Sequence, residues 1–293
     1  MALGAGSALA EEHVRYRFWS DLTAAQARNT GFPTERIKRR FGRAFHDICR
    51  IIDPTLTLEL GAHEASFSAW SAKTFPDARC LALEANPVVH ARHKERLTAR
   101  GVDYRHLAAS SSSGEATLHI PRMLKSKARG PGNKLASLGL HRYDEAHDSV
   151  LVPAVRVDDL VEPGEEDRVV AWIDVEGASG SVLEGAGAVL ARTAAVHIEV
   201  ESEEVWPGQW LDTDVHHYFC SIGKVPVMRD LQRAHQYNVL YLDQDLCTRS
   251  EIVERLAAVM RPPRPPADEP EPQLESAQPK GWRRLLPSWR ARS

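Results

Sequence analysis

The sequence predicts an α/β protein on a mostly parallel sheet with an antiparallel last strand, and three observations carry that expectation. Short apolar runs alternate with stretches of helical period between residues 55 and 243, the pattern of successive βαβ units. The run Val169-Val170-Ala171-Trp172-Ile173 is apolar or aromatic throughout, as a strand covered on both faces must be. Several runs then end in a carboxylate or a glycine: Glu59-Leu60-Gly61, Leu83-Glu84 and Ile173-Asp174-Val175-Glu176-Gly177. In parallel sheets, ligands bind beyond the carboxyl ends of the strands.

The elements follow in order. Residues 11–52 read as amphipathic helix, with Ile37, Phe41, Phe45 and Ile48 recurring at helical steps among Arg and Lys until Asp53-Pro54 stops them. Residues 1–54 are thus an N-terminal helical extension, and 55–261 form the main domain. That domain opens with a strand over 55–60, a helix over 64–73, a strand over 79–83, a helix over 88–99 and a strand over 102–108. A short strand over 116–120 follows the turn at 110–114 and is expected to form a hairpin with its neighbour. Residues 125–139, rich in Gly, Lys and Ser, are expected to be a mobile lid or binding loop. Lys125, Lys127, Arg129 and Lys134 in it are suited to a phosphate or nucleotide-sugar, or simply to solvent, and His141 and Tyr143 beyond it are candidates for touching substrate. After a strand over 150–157 come a strand over 169–175, a helix over 181–191 and a strand over 194–200. A helix over 213–222, stopped by Gly223, precedes strands over 224–228 and 237–242 and a helix over 249–260. Residues 262–293 are expected to be a disordered Pro-rich acidic linker and a basic Trp/Leu tail.

Composition excludes several function classes. A net charge of -3 gives no global case for nucleic acid. The four cysteines form no CxxC pair, which points to a reducing cytoplasm rather than a disulfide framework. The N-terminus lacks a basic stretch before its small apolar residues, so no signal peptide is expected, and no run reaches the roughly 18 apolar residues of a spanning helix. The expected location is cytoplasmic. Contact of the tail, through Trp282, Leu285, Leu286 and Trp289, with the inner membrane surface stays open beside a plain unstructured tail. No metal site is expected: His90, His93, His216 and His217 read as surface residues on helices, with no carboxylate or cysteine completing a ligand set by spacing.

The strand ends specify a chemistry. Gly61 lets the chain turn and a ligand approach the backbone, while Glu84, closing the second strand, is placed to accept hydrogen bonds from both hydroxyls of a ribose. A pyrophosphate needs three loop glycines, and only Gly61 is present; His63 and Ser66 stand in the other places and Glu64 adds negative charge. S-adenosylmethionine carries no phosphate, offers a ribose to Glu84, and presents an ammonium for which Glu59 is suitably placed. Alternation puts His197, Glu199 and Glu201 on one side of their strand, although a strand buried on both faces would not freely accept three polar side chains. The candidates for a base are Asp174, Glu176, His197, Glu199 and Glu201, with Glu199 preferred as the substrate-side carboxylate.

Glu59-Leu60-Gly61-Ala62-His63 resembles a degenerate class I methyltransferase first motif, and Leu83-Glu84-Ala85-Asn86-Pro87 its acidic second motif. Ile173-Asp174-Val175-Glu176-Gly177-Ala178, with Val182-Leu183-Glu184-Gly185-Ala186 and His197-Ile198-Glu199-Val200, is similar to the signature of FkbM-type methyltransferases. The resemblance spans about residues 55–243. It implies a Rossmann-like, S-adenosylmethionine-dependent O-methyltransferase acting on a small-molecule, sugar or glycolipid hydroxyl. Gly61, Glu84 and Asp174 carry over as cofactor-side positions, joined by Glu59, His63 and Asn86 of the same motifs; Asp174, Glu176 and Glu199 are the catalytic candidates. Two positions depart from the family's usual pattern, His63 for Asn and Ala65 for Gly. A non-catalytic binding or scaffold descendant and a nicotinamide-dependent oxidoreductase are the competing readings, separated by which cofactor binds.

Overall fold

The computed structural model describes residues 3–261; the expected linker and tail lie outside the described residues. Helices α1 (Leu3–Arg28) and α2 (Thr34–Ile52) come first. Strand β1 (Leu56–Leu60), helix α3 (Ser66–Thr74), β2 (Arg79–Glu84), α4 (Pro87–Thr98) and β3 (Val102–His106) then build one wing of a sheet. An insertion follows: β4 (Ala108–Ala109), β5 (Gly114–Leu124), β6 (Lys127–Ala128), β7 (Asp144–Val155) and the short helix α5 (Val157–Leu160). The other wing is β8 (Val169–Ile173), α6 (Ser179–Glu184), α7 (Gly187–Ala191), β9 (Thr193–Glu201), α8 (Asp212–Ser221), β10 (Lys224–Arg229) and β11 (Gln236–Asp243). A 3-10 turn (Gln244–Thr248) and α9 (Ser250–Met260) complete the described chain. No described helix is long and apolar enough to cross a membrane.

The seven-stranded sheet has the order β10-β11-β9-β8-β1-β2-β3. It is parallel except for β11, which runs antiparallel to both β9 and β10. The chain winds outward from β1 to β3, then returns to the other side of β1 as β8, so the strand order reverses between β1 and β8. That crevice is where open α/β sheets bind ligands. Leu58, Val169, Val170, Ala171, Ile173, Val196 and Ile198 are at most 1% exposed, which is why the central strand β8 reads as an unbroken apolar run and its neighbours as largely apolar ones.

The two sheet faces are covered differently. Helix α2 buries Phe41, Phe45, Ile48 and Ile52 on one face, with the Phe41 and Phe45 rings 5.2 and 5.5 Å from that of His197. On the other, Val215 and Phe219 of α8 pack with Val196, Ile198 and Tyr241. Helix α1 lies against α8, tied by Arg17 donating to Asp212 at 2.7 Å.

Five departures from the expected elements bear on the sheet and the site. The strand over 102–108 divides at Leu107, because β3 pairs with β2 while β4 pairs with β7 in a separate four-stranded sheet. The strand expected at 116–120 is the eleven-residue β5, and its main partner is not the preceding strand but the distant β7. The helix over 181–191 breaks at Gly185, where a Cβ would stand 1.9 Å from the Ser110 carbonyl oxygen; backbone packing, not local propensity, sets that break. The helical stretch 11–52 is interrupted by a turn at 29–33. Finally, β9 does bury His197, Glu199 and Glu201, at 2%, 7% and 3% exposure, because other side chains supply partners that the strand itself cannot.

Candidate active site

Two backbone crossings fix the strand ends at the crevice. Gly61 turns the chain out of β1 at φ +76°, and a Cβ there would lie 2.0 Å from the Asp174 carbonyl oxygen. The close approach expected of a ligand is therefore made by the chain itself. Asp174 N donates to Leu60 O at 2.9 Å, and Gly61 and Ala62 N both donate to Leu83 O. Three strand ends are thereby held in one patch.

Above that patch lies a cavity of about 500 Å³, lined on its floor by Glu59, Asp174, Glu176 and Glu199 and on its wall by Lys38, Phe41 and His46 of α2. One ligand oxygen from each of Asp174, Glu176 and Glu199 lies within 4.8 Å of the others. Among the described residues none of these carboxylates is in an ion pair. Burial pushes Glu59 up to about 7, against the N–H groups of Phe67 and Ser68 that hold its charged form. Burial, then the charges of Asp174 and Glu201, pushes Glu176 up to about 8. Burial raises Asp174 and Glu199 as well, and Asp174 and Glu176 add repulsion at Glu199. Carboxylates crowded this way favour a ligand carrying positive charge.

Their hydrogen bonds distinguish them. Glu199 accepts from the side-chain amides of Gln232 and, at 2.7 Å, Gln236. Glu201 accepts from Gln209 at 3.0 Å and Gln236 at 3.3 Å. Glu176 Oε2 is shielded from solvent and accepts no hydrogen bond. His197 is held by ring packing instead, 3.5 Å from the Trp172 ring centroid.

The β2 end is built differently. Glu84 accepts from His63 N at 2.6 Å and Asn86 N at 2.7 Å, and its carboxyl is raised by burial despite both bonds. Asn86 caps α4 by accepting from Val88 N at 3.0 Å and donates to Pro131 O at 2.9 Å. His63 Nε2 lies 3.4 Å from Gly132 O. The 125–139 loop is thus latched over the end of β2, and Glu84 does not line the cavity. Farther along, Ser137 Oγ donates to the Glu176 carbonyl, so one loop touches both ends of the site.

A second cavity of about 330 Å³ adjoins the first, lined by His141, Tyr143, Glu201 and Trp206. The two share Leu135, Glu176, Arg233 and Gln236. Trp206 fits against Gly177, where a Cβ would lie 2.4 Å from the indole, and its ring meets that of His141 edge-on at 5.1 Å.

The model of the methyltransferase FkbM domain matches residues 59–239, more than half of the chain. The chain belongs to the FkbM methyltransferase family. A relative within reach of sequence comparison is the 2-O-methyltransferase NoeI of Sinorhizobium fredii (strain NBRC 101917 / NGR234). It is 27% identical over 169 residues, covering 54% of this chain and 67% of NoeI. Similar solved structures include methyltransferase FkbM from Methylobacillus flagellatus KT, at 15% identity and TM-score 0.39 over 65% of this chain. The match spans only 44% of that chain's length. Another is the S-adenosylmethionine-bound magnesium protoporphyrin IX methyltransferase of Synechocystis PCC 6803. It is 7% identical with TM-score 0.41, covering 71% of this chain and 79% of the other.

Against the usual FkbM pattern, Ala65 has a physical consequence. It sits in the left-handed region at φ 49°, as does His63 at φ 46°, and is fully buried at the start of α3. A Cβ costs roughly 1–2 kcal/mol there, and a glycine returns less than that as unfolded-chain entropy. Ala65→Gly is therefore expected to stabilise this FkbM domain by about 0.5–1 kcal/mol in urea denaturation; a lower midpoint would show that the loop is not strained.

The fold brings Glu59, Gly61, His63, Asp174, Glu176 and Glu199 to one cavity and sets Glu84 and Asn86 beneath the latched loop. Sequence reasoning missed Gln232 and Arg233 from the β10–β11 connection, Gln236 at the start of β11, Trp206, and the α2 wall. Only the polarity of Gln236 at the start of an apolar strand hinted at any of these.

Proposed function

We propose that this FkbM-family protein transfers a methyl group from S-adenosylmethionine to a hydroxyl of a sugar, glycan precursor or related metabolite. The observation that carries the reading is the shared wall: two cavities meet at Glu176, whose Oε2 has no internal partner. The first cavity fits the methionine end of the cofactor, because its crowded carboxylates complement an ammonium and a sulfonium. Glu59, Asp174 and Glu199 would hold that end, and Glu84 the ribose once Pro131 and Gly132 lift from Asn86 and His63. When bound, S-adenosylmethionine supplies an activated methyl group. The chain's own part is alignment of donor and acceptor and removal of the hydroxyl proton, a role for Glu176 that its partnerless Oε2 supports. His141, Tyr143 and Trp206 give the second cavity flat faces for a ring bearing that hydroxyl.

The non-catalytic alternative draws on the latch over Glu84 and the strained loop at His63 and Ala65. Isothermal titration with S-adenosylhomocysteine separates the two. Micromolar binding is expected, weakened at least tenfold in Asp174→Ala and Glu84→Ala; no binding of either S-adenosylhomocysteine or S-adenosylmethionine would sink the proposed activity.

A further inference from the structure

The four histidines that the sequence reads as surface residues, His90, His93, His216 and His217, do not all lie on the surface. His216, on α8, is 6% exposed and stacked on Tyr16 at 4.3 Å. Spacing alone gave it no ligand set, but the fold does: Glu12 of α1 and Cys220, one helical turn after His216, converge on it with ligand atoms within 4.8 Å of one another. Cys220 Sγ lies 3.5 Å from His216 Nε2 and 3.6 Å from Nδ1. His216 Nε2 lies 3.9 Å from Glu12 Oε1.

We propose that Glu12, His216 and Cys220 bind a zinc ion that clamps α1 onto α8. The other oxygen of Glu12 is already oriented by His217 Nδ1 at 3.2 Å, the kind of outer contact that fixes a metal-bound carboxylate. A carboxylate and a thiolate with one neutral imidazole balance a divalent ion, so the site carries no net charge. On binding, the Cys220 S–H proton leaves to buffer as the sulfur–zinc bond forms. A water would complete the tetrahedron, as in zinc sites with three protein ligands. The ion's effect is mechanical, joining residues about 200 apart in sequence.

The test is a cobalt(II) titration of chelator-treated protein followed by displacement with zinc. One equivalent is expected to produce a thiolate-to-cobalt charge-transfer absorption that zinc abolishes. Cys220→Ser should lose the band and Cys247→Ser should keep it. Glu12→Gln should weaken zinc at least tenfold; its side chain is 32% exposed, so this variant serves should Cys220→Ser fail to fold. No band in the unaltered protein, a band that survives Cys220→Ser, or unchanged zinc affinity in Glu12→Gln would overturn the assignment.

Discussion

Replacing Glu176 with glutamine is expected to lower turnover by about 10²–10⁴-fold, the usual contribution of a positioned general base, while S-adenosylhomocysteine affinity changes less than about threefold. The separation follows from position. Glu176 borders both cavities and holds no internal hydrogen bond at Oε2, so the amide keeps the shape of the wall and removes only the proton acceptor. Glu199 is a weaker candidate for this role, because both its oxygens are engaged by glutamine amides. The pH profile provides a second readout. With the Glu176 carboxyl pushed up to about 8 by burial and by its acidic neighbours, kcat/KM should rise with pH toward that value in the unaltered enzyme. Glu176→Gln should flatten the rise. Methyl transfer from labelled S-adenosylmethionine to a panel of hydroxylated glycans measures both; full activity in Glu176→Gln would remove it from the chemistry.

The ligand-free protein is also expected to lose stability between pH 6.5 and 9, by about 3 kcal/mol, or roughly 6–12 °C in Tm. The sign follows from three raised carboxyls: Glu59 at about 7, Glu176 at about 8 and Glu201 at about 7, each lifted first by burial. A carboxyl with a folded-state pKa above its unfolded value stabilises the fold fully below the unfolded value. That contribution disappears as pH rises through the folded one. The buried histidines act in the opposite direction but in another window. His197 and His46, lowered by burial to about 3 and about 4, destabilise the fold only as pH falls below the ordinary histidine value. Above pH 6.5 the acids therefore dominate. Thermal melts across this range check the slope, and a Tm that climbs toward pH 9 would contradict the acidic floor. Saturating S-adenosylmethionine should flatten the slope by supplying positive charge.

The sheet was legible in sequence because its strands are buried on both faces, so β8 appears as an uninterrupted apolar run and β1, β2 and β9 as largely apolar ones with carboxylates at or near their ends. The helices of the main domain were legible from period and from stops such as Gly223. What sequence could not carry were long-range encounters. Gly185 breaks a helix because of Ser110, seventy-five residues upstream. The buried carboxylates of β9 depend on Gln209, Gln232 and Gln236, whose local patterns say nothing of their targets. Gly61 was legible as a turn, but what approaches it is Asp174. Glu12 reaches His216 only because α1 lies on α8, which no spacing rule contains.

Helix α2 has a practical consequence for anyone dividing this chain. The family match begins at residue 59, yet Lys38, Phe41 and His46 form part of the cavity wall, and Phe45 and Ile48 are completely buried against the sheet. A fragment trimmed to the matched region would keep every motif by which the family is recognised and still have an open-sided cavity. It would also turn an aromatic sheet face, with Trp172 and His197 at its centre, toward water, and such a surface invites aggregation. The recognisable domain and the smallest working unit are not the same length.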